Sequence, residues 1–241
     1  MDFTGARSPR SSTLREAYDR AAAIIGSRAE SFEIAEEVER QRLAWQPSRV
    51  SVVMLAESHV WTSEENKPNS VRPSREAETG LAPSRFVRFV YCLDYEAPQY
   101  WTLFHDAMHE PTRTRITLSR DEKLHLLSEM KDAGIWLVDA SVTALYRPRD
   151  GCLVKSKSKY KNLLQGCWEA HVRYVIAKCD TSAVLIVGRG VDHAIGDLVR
   201  LEVPSAKMEV VKQPNARMKQ DERYDERRKV FNFCRHHRSR G

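Results

Sequence analysis

Glu57, Ser58 and His59 stand together where the apolar run "VVMLA" ends, and Asp139 closes a second such run, "IWLV". A carboxylate placed directly after a buried run costs free energy unless it is exposed, paired or used. Carboxylates in such positions can orient water, stabilise a developing positive charge or accept hydrogen bonds from a ligand. Gly188, Arg189 and Gly190 follow a third apolar run, and Gln213 with Asn215 follows a fourth. "GRGVDHAIG" matches neither the GxGxxG fingerprint nor a phosphate loop with its lysine, so no dinucleotide cofactor is expected. A plainer role for Asp139 is to cap the turn that follows it. His171 lies among apolar helix positions and reads as a hydrogen-bonded structural histidine. His193, His236 and His237 lack metal-ligand spacing, and the five cysteines form no CxxC pair. Neither a metal nor a cofactor is expected.

These residues share one rim only if the runs before them pair as parallel strands. Ser12 to Trp45 reads as two helices broken near "GSRAES". "RVSVVMLA" is a buried strand by its Val and Met content, and "RFVRFVYCL" reads as a second strand. Helical patterns follow in "APQYWTLFHDAMHE" and in "SRDEKLHLLSEMKDAG". The latter has Ser119 and Glu122 as a capping box and Gly134 as its stop. "IWLVDASV", "SAVLIVGRGV" and "MEVV" are further strands, separated by "KNLLQGCWEAHVRYVIAKC", whose apolar residues share a helical face. A closing helix is expected from about Asp221 to Phe233. Strands alternating with helices predict an α/β fold, a three-layer α/β/α sandwich around a mainly parallel sheet. Ligands collect outside the carboxyl ends of such strands. Residues 1–46 are expected as a helical extension and 47–241 as the α/β domain.

The chain has 241 residues, 41% hydrophobic and 30% charged, which is enough for one substantial core and excludes a disordered chain. No apolar run reaches the roughly 18 residues of a membrane helix. The start has no apolar segment between a basic end and a cleavage site, so a cytoplasmic location is expected. Net charge is +6, and its placement is informative. "RPRDGCLVKSKSKYK" carries Lys155, Lys157 and Lys159 among other cations, and the tail is basic again from Arg217. Such clusters can neutralise phosphates, or form an ordinary solvated face. Thr62 to Ser84 is polar and aperiodic, a long loop of the kind that more often serves function.

In this order, "VVMLAES", "GIWLVDASVTALY", "CWEAHVRYVIAKCDTSAVLIVGRGV" and "VVKQPNARM" resemble the motifs of the uracil-DNA glycosylase superfamily. The resemblance spans roughly Arg49 to Phe233, and every catalytic motif is altered. It implies a parallel four-stranded sheet between helices and a DNA cleft at the strand ends. Glu57 then corresponds to the residue that orients water or stabilises the cationic sugar, with Ser58 beside it in the water-handling motif and His59 in the base pocket. Tyr91 matches the aromatic residue that stacks on the extruded base, with Phe89 and Tyr95 as alternatives. Gln213, Pro214 and Asn215 match the loop that enters DNA, and Arg217 with Met218 the wedge that fills the vacated stack. Arg189, Lys155, Lys157 and Lys159 are expected on the DNA backbone. Gln213 replaces a histidine, and a glutamine donates a hydrogen bond but carries no positive charge.

Asp139 stands where the family has an asparagine that matches a uracil edge. A carboxylate instead accepts from the cytosine N4 amino group. The expectation is therefore a DNA glycosylase acting on a modified cytosine, such as the hydroxymethylated or glucosylated cytosine of phage DNA. Its partner would be DNA. The alternatives are a nucleic-acid-binding protein that keeps the fold without the chemistry, or another α/β enzyme whose carboxylates serve a small molecule.

Overall fold

The computed structural model describes residues 9–63, 86–114 and 116–239. Four parallel strands form the central sheet: β1 (Val52–Ala56), β2 (Ile135–Asp139), β5 (Ala183–Val187) and β6 (Lys207–Val211), in the order β2-β1-β5-β6. β1, β2 and β5 are buried at every residue, as expected of strands covered on both faces. Edge strand β6 alternates instead, with Lys207 and Glu209 exposed. Helices α1 (Pro9–Ile25), α5 (Lys157–Cys167), α6 (Arg173–Ala177) and α7 (Arg189–Glu202) pack on one another as one layer. Helices α3 (Pro98–Met108), α4 (Arg120–Asp132) and α8 (Gln220–His237) form the other. The fold is the expected three-layer α/β/α sandwich. Tyr146–Arg147 (β3) and Gly151–Cys152 (β4) make a small antiparallel pair beside it.

The register aligns the carboxyl ends. Ala56 pairs with Asp139 across β1 and β2, and Val187 pairs with Val211 across β5 and β6. The ladder continues past the strands: Ser141 N–H donates to the Glu57 carbonyl at 2.9 Å, and Gly188 N–H to the Val211 carbonyl at 2.8 Å. Residues after each strand are thereby held to the same edge as the strands themselves. α4 has its expected capping box between Ser119 and Glu122, and Gly134 follows it at φ 71°. Between α5 and α6 the helix widens into a π turn over Trp168–Val172.

α2 (Phe32–Ala44) reaches from α1 to β2, where the Trp136 indole N–H donates to the Arg42 carbonyl at 3.0 Å. One hydrophobic core runs from Leu14 and Ala17 on α1 through the sheet to Val230 and Cys234 on α8. The N-terminal helices are thus part of the core.

"RFVRFVYCL" is not a strand. Cys92 N–H closes on the Phe89 carbonyl at 3.0 Å and Tyr95 N–H on the Cys92 carbonyl at 2.9 Å, so the segment turns twice. Phe89, Val90, Tyr91 and Cys92 are buried consecutively, with none of the alternation of a half-buried strand. The turns bring the Tyr91 hydroxyl to edge strand β2, where it accepts from Leu137 N–H at 2.8 Å and lies 3.4 Å from the Leu137 carbonyl. Its ring packs against Phe89 and Phe104. Tyr91 is therefore a core aromatic that satisfies a strand edge; the expectation that it stacks on a ligand is corrected by this burial. Replacing it with Phe leaves Leu137 N–H without its partner, and the expected loss is about 1–2 kcal/mol in urea unfolding at neutral pH.

Candidate functional site

Glu57, the first residue beyond β1, is 7% exposed and takes two donors. Tyr160 Oη donates to its Oε1 at 2.6 Å, and Gln213 Nε2 to its Oε2 at 2.9 Å. Tyr160 comes from α5 and Gln213 from the turn after β6, so two elements on either side converge on one carboxylate. The approach is close enough to require glycine at Gly188 and is tight at Gly190. A Cβ on Gly188, at φ 119°, would lie 2.9 Å from Gln213 Cγ, and one on Gly190 would lie 3.2 Å from Tyr160 Oη.

Asp139 ends β2 on the neighbouring strand and is 3% exposed. Its Oδ2 lies 3.7 Å from His59 Nδ1, and both atoms are buried without a hydrogen-bond partner among the described residues. The other ring nitrogen of His59, Nε2, meets Glu30 Oε1. Glu30 lies between α1 and α2, and the same oxygen also accepts from Ala144 N–H at 2.9 Å. Burial alone would lower the pKa of His59, but the charge of Glu30, with Asp139, outweighs it and lifts it to about 9. Arg42 is buried nearby, ion-paired with Glu39; burial pulls its pKa down to about 10, against the opposing field of Asp139.

Tyr100, Tyr146 and Tyr160 are half-buried around these carboxylates. Burial and then the fields of Asp139 and Glu57 push Tyr100 far up. Burial and Glu57 do the same to Tyr146 and Tyr160. All three hydroxyls remain protonated donors at neutral pH. The arrangement is a pair of carboxylates on adjacent strand ends, ringed by phenols.

The structure brings Gln213 to Glu57 and His59 to Asp139, at the ends of neighbouring strands. Ser58 is placed differently. Its hydroxyl donates to the His59 carbonyl at 3.0 Å and accepts from Leu145 N–H at 3.2 Å, so it braces the backbone and is corrected from a catalytic to a structural role. The His59 side chain is wholly buried, against 4% exposure for that of Asp139, which corrects its expected contact with the base. His171 is structural as expected, buried between Thr13 Oγ1 at 3.0 Å and Glu39 Oε1 at 3.3 Å.

Lys155, Lys157, Lys159, Arg189, Asn215 and Arg217 are all exposed. Lys157 and Lys159 occupy the first turn of α5, where they add to the positive end of the helix dipole instead of opposing it. Tyr160, which holds Glu57, is the next residue, so this basic turn adjoins the carboxylate. Met218 lines a cavity of about 560 Å³ with Pro98, Gln99, Lys212 and Pro214. Gln99 neighbours Tyr100 in sequence, and Lys212 and Pro214 flank Gln213, but neither Glu57 nor Asp139 lines this cavity. Within the cavity, Arg227 holds Asp106 through two bonds of 2.5 and 2.7 Å. The loop expected from Thr62 to Ser84 lies, from residue 64 on, outside the described residues.

Glu30, Tyr100, Tyr146 and Tyr160 were missed by sequence reasoning. Tyr160 carried a signal, an aromatic set among lysines in "KSKSKYK". Glu30 had none, because it belongs to an acid-rich stretch that reads as a solvated face. Among the described residues no helix is long and apolar enough to cross a membrane, and no group of three or more His, Cys, Asp or Glu is arranged to hold a metal. No protein-family model, curated protein or solved structure matches the chain.

The raised pKa of His59 sets a sign for stability. Its contribution is fully present below about pH 6.5, the unfolded value, and is lost as pH rises through about 9. Unfolding free energies from urea titrations at pH 6 to 10 should fall for the wild type more than for His59→Gln, by on the order of 2 kcal/mol across that window. At the other carboxylate, Gly188→Ala should displace Gln213 from Glu57 and cost about 1–3 kcal/mol, read in the same assay.

Proposed function

We propose that the chain is a DNA glycosylase that hydrolyses the N-glycosidic bond of a modified cytosine rotated out of DNA. The observation that supports this reading is the placement of Glu57 and Asp139 at the carboxyl ends of adjacent, in-register parallel strands, with Glu57 held by Tyr160 from the lysine-rich turn. The exposed cations Lys155, Lys157, Lys159, Arg189 and Arg217 bind phosphates, while Asn215 and Met218 face the vacated stack. Rotating a nucleotide out of the duplex costs a few kcal/mol of unstacking. Tyr100 and Tyr146, half-buried beside the carboxylates, offer the ring faces that Tyr91 cannot.

Asp139 accepts from the N4 amino group of the base. The bond from C1′ to the base lengthens and the base departs with the bonding electrons, leaving positive charge on the sugar. Glu57, oriented by Tyr160 and Gln213, stabilises that charge and positions water, whose oxygen bonds to C1′ as its proton passes through solvent to N1 of the departed base. The products are a free base and an abasic site. Release of ordinary cytosine would destroy the DNA of the host. A modified cytosine of phage DNA is therefore the substrate, and defence in the cytoplasm the role.

The direct experiment incubates the protein with DNAs containing uracil, cytosine, 5-hydroxymethylcytosine and its glucosylated form, followed by alkali. Strand breaks are expected at the cytosine derivatives alone, and Glu57→Gln should slow them by about 100-fold while salt-sensitive binding persists. Binding with no abasic sites on any of these DNAs would instead identify a nucleic-acid-binding protein without chemistry. Dependence on a divalent metal or a nucleotide would point to a different enzyme.

A further inference from the structure

Asp139 reads the base in the proposed reaction, but the structure also places a buried relay behind it. The side chains of Glu30 and His59 are wholly buried, and Asp139 is nearly so. Glu30 Oε1 faces His59 Nε2, and an ionised carboxylate can only accept, so Nε2 carries a proton. Glu30 is itself fixed: Ala144 N–H donates to its side chain at 2.9 Å, and Tyr18 Oη donates to its backbone carbonyl at 2.5 Å. Phe89 meets the imidazole edge-on, at 6.2 Å and 71°, which restricts the ring plane. Nδ1 is thereby aimed at Asp139 Oδ2, 3.7 Å away.

That distance is beyond a hydrogen bond, yet neither atom has another partner among the described residues. A bare Nδ1 would set its lone pair against those of a carboxylate. A protonated Nδ1 removes the conflict, and Glu30 supplies the compensating charge. Arg42, the other cation whose field reaches Asp139, is committed to Glu39.

We propose that His59, held by Glu30, is a positioning residue that fixes Asp139 as a hydrogen-bond acceptor, so that the choice between amino-bearing and oxo-bearing pyrimidines is set from the N-terminal helical segment. This rests on the glycosylase reading. With an imidazolium facing Oδ2 at 3.7 Å, the carboxylate offers the base acceptors only and favours an exocyclic amino group. Without it, neither oxygen is held in place to accept from that amino group, and the distinction is lost.

The test compares single-turnover excision from two DNAs of one sequence, carrying 5-hydroxymethylcytosine or 5-hydroxymethyluracil. Glu30→Gln and His59→Gln should each lower the amino-to-oxo rate ratio by about tenfold or more, the effect of one charge-assisted hydrogen bond. In an Asp139→Asn background the same substitutions should leave the ratio unchanged. Rates that fall equally on both DNAs would make the relay purely structural and overturn the proposal. Should the variants not fold, nitrogen NMR of the wild type with labelled histidine decides: both ring nitrogens of His59 protonated at neutral pH is the expected result, and a bare Nδ1 overturns it. A wild type that excises no cytosine derivative, the glucosylated form included, sinks the glycosylase reading, whereas active variants with an unchanged ratio sink only this inference.

Discussion

Three carboxylates crowd the mouth of a dry parallel sheet, and the way each is matched by donors governs the rest of the site. Glu57 receives two neutral donors, from Tyr160 and Gln213. Glu30 receives a backbone N–H and an imidazole. Asp139 has an imidazole facing it beyond hydrogen-bond length. A buried carboxylate without adequate donors is expensive. The matching is uneven: both oxygens of Glu57 take a donor, whereas Glu30 Oε2 and Asp139 Oδ2 are buried without a hydrogen-bond partner among the described residues.

That mouth exists because four strands run the same way. Parallel pairing puts the carboxyl ends of β1, β2, β5 and β6 at one edge, and it places the starts of α5 and α7 near that edge as well. Helix starts carry partial positive charge from unpaired N–H groups. In α5 the first turn adds Lys157 and Lys159, so acidic side chains within the rim meet a basic collar beside it. The same close packing makes glycine necessary at Gly188, where β5 turns into α7 against the Gln213 side chain.

Periodicity and caps carried most of the fold. "VVMLA", "IWLV" and "AVLIV" could be read as strands because each is a short apolar run bounded by polar residues or glycine, and the Ser119 to Gly134 helix because it states both of its ends. "RFVRFVYCL" failed the same test for a physical reason: residues buried by a sequence of turns have the composition of a buried strand, and only the turn hydrogen bonds tell them apart. The strand-end carboxylates were legible because a charge after an apolar run is conspicuous. Their partners were not. Tyr160 is 103 positions from Glu57, Gln213 is 156 away, and Glu30 is 29 from His59. Contacts of that separation are made by topology, which no local pattern encodes.

Glu30 bears most directly on what the N-terminal helices are for. Alpha-helical segments laid against a finished sheet could bury apolar residues alone, as Leu14, Ala17 and Ala21 do. Carrying a carboxylate to a fully buried histidine is a poor way to add stability, because desolvating both groups offsets much of their attraction, and apolar replacements of similar volume are often neutral or better. What such a pair provides, and an apolar pair cannot, is a fixed ring orientation and a fixed charge. Both are delivered to the carboxylate at the end of β2. The segment thus reaches the rim through His59, which links the packing of α1 and α2 to the chemistry that the strand ends can perform.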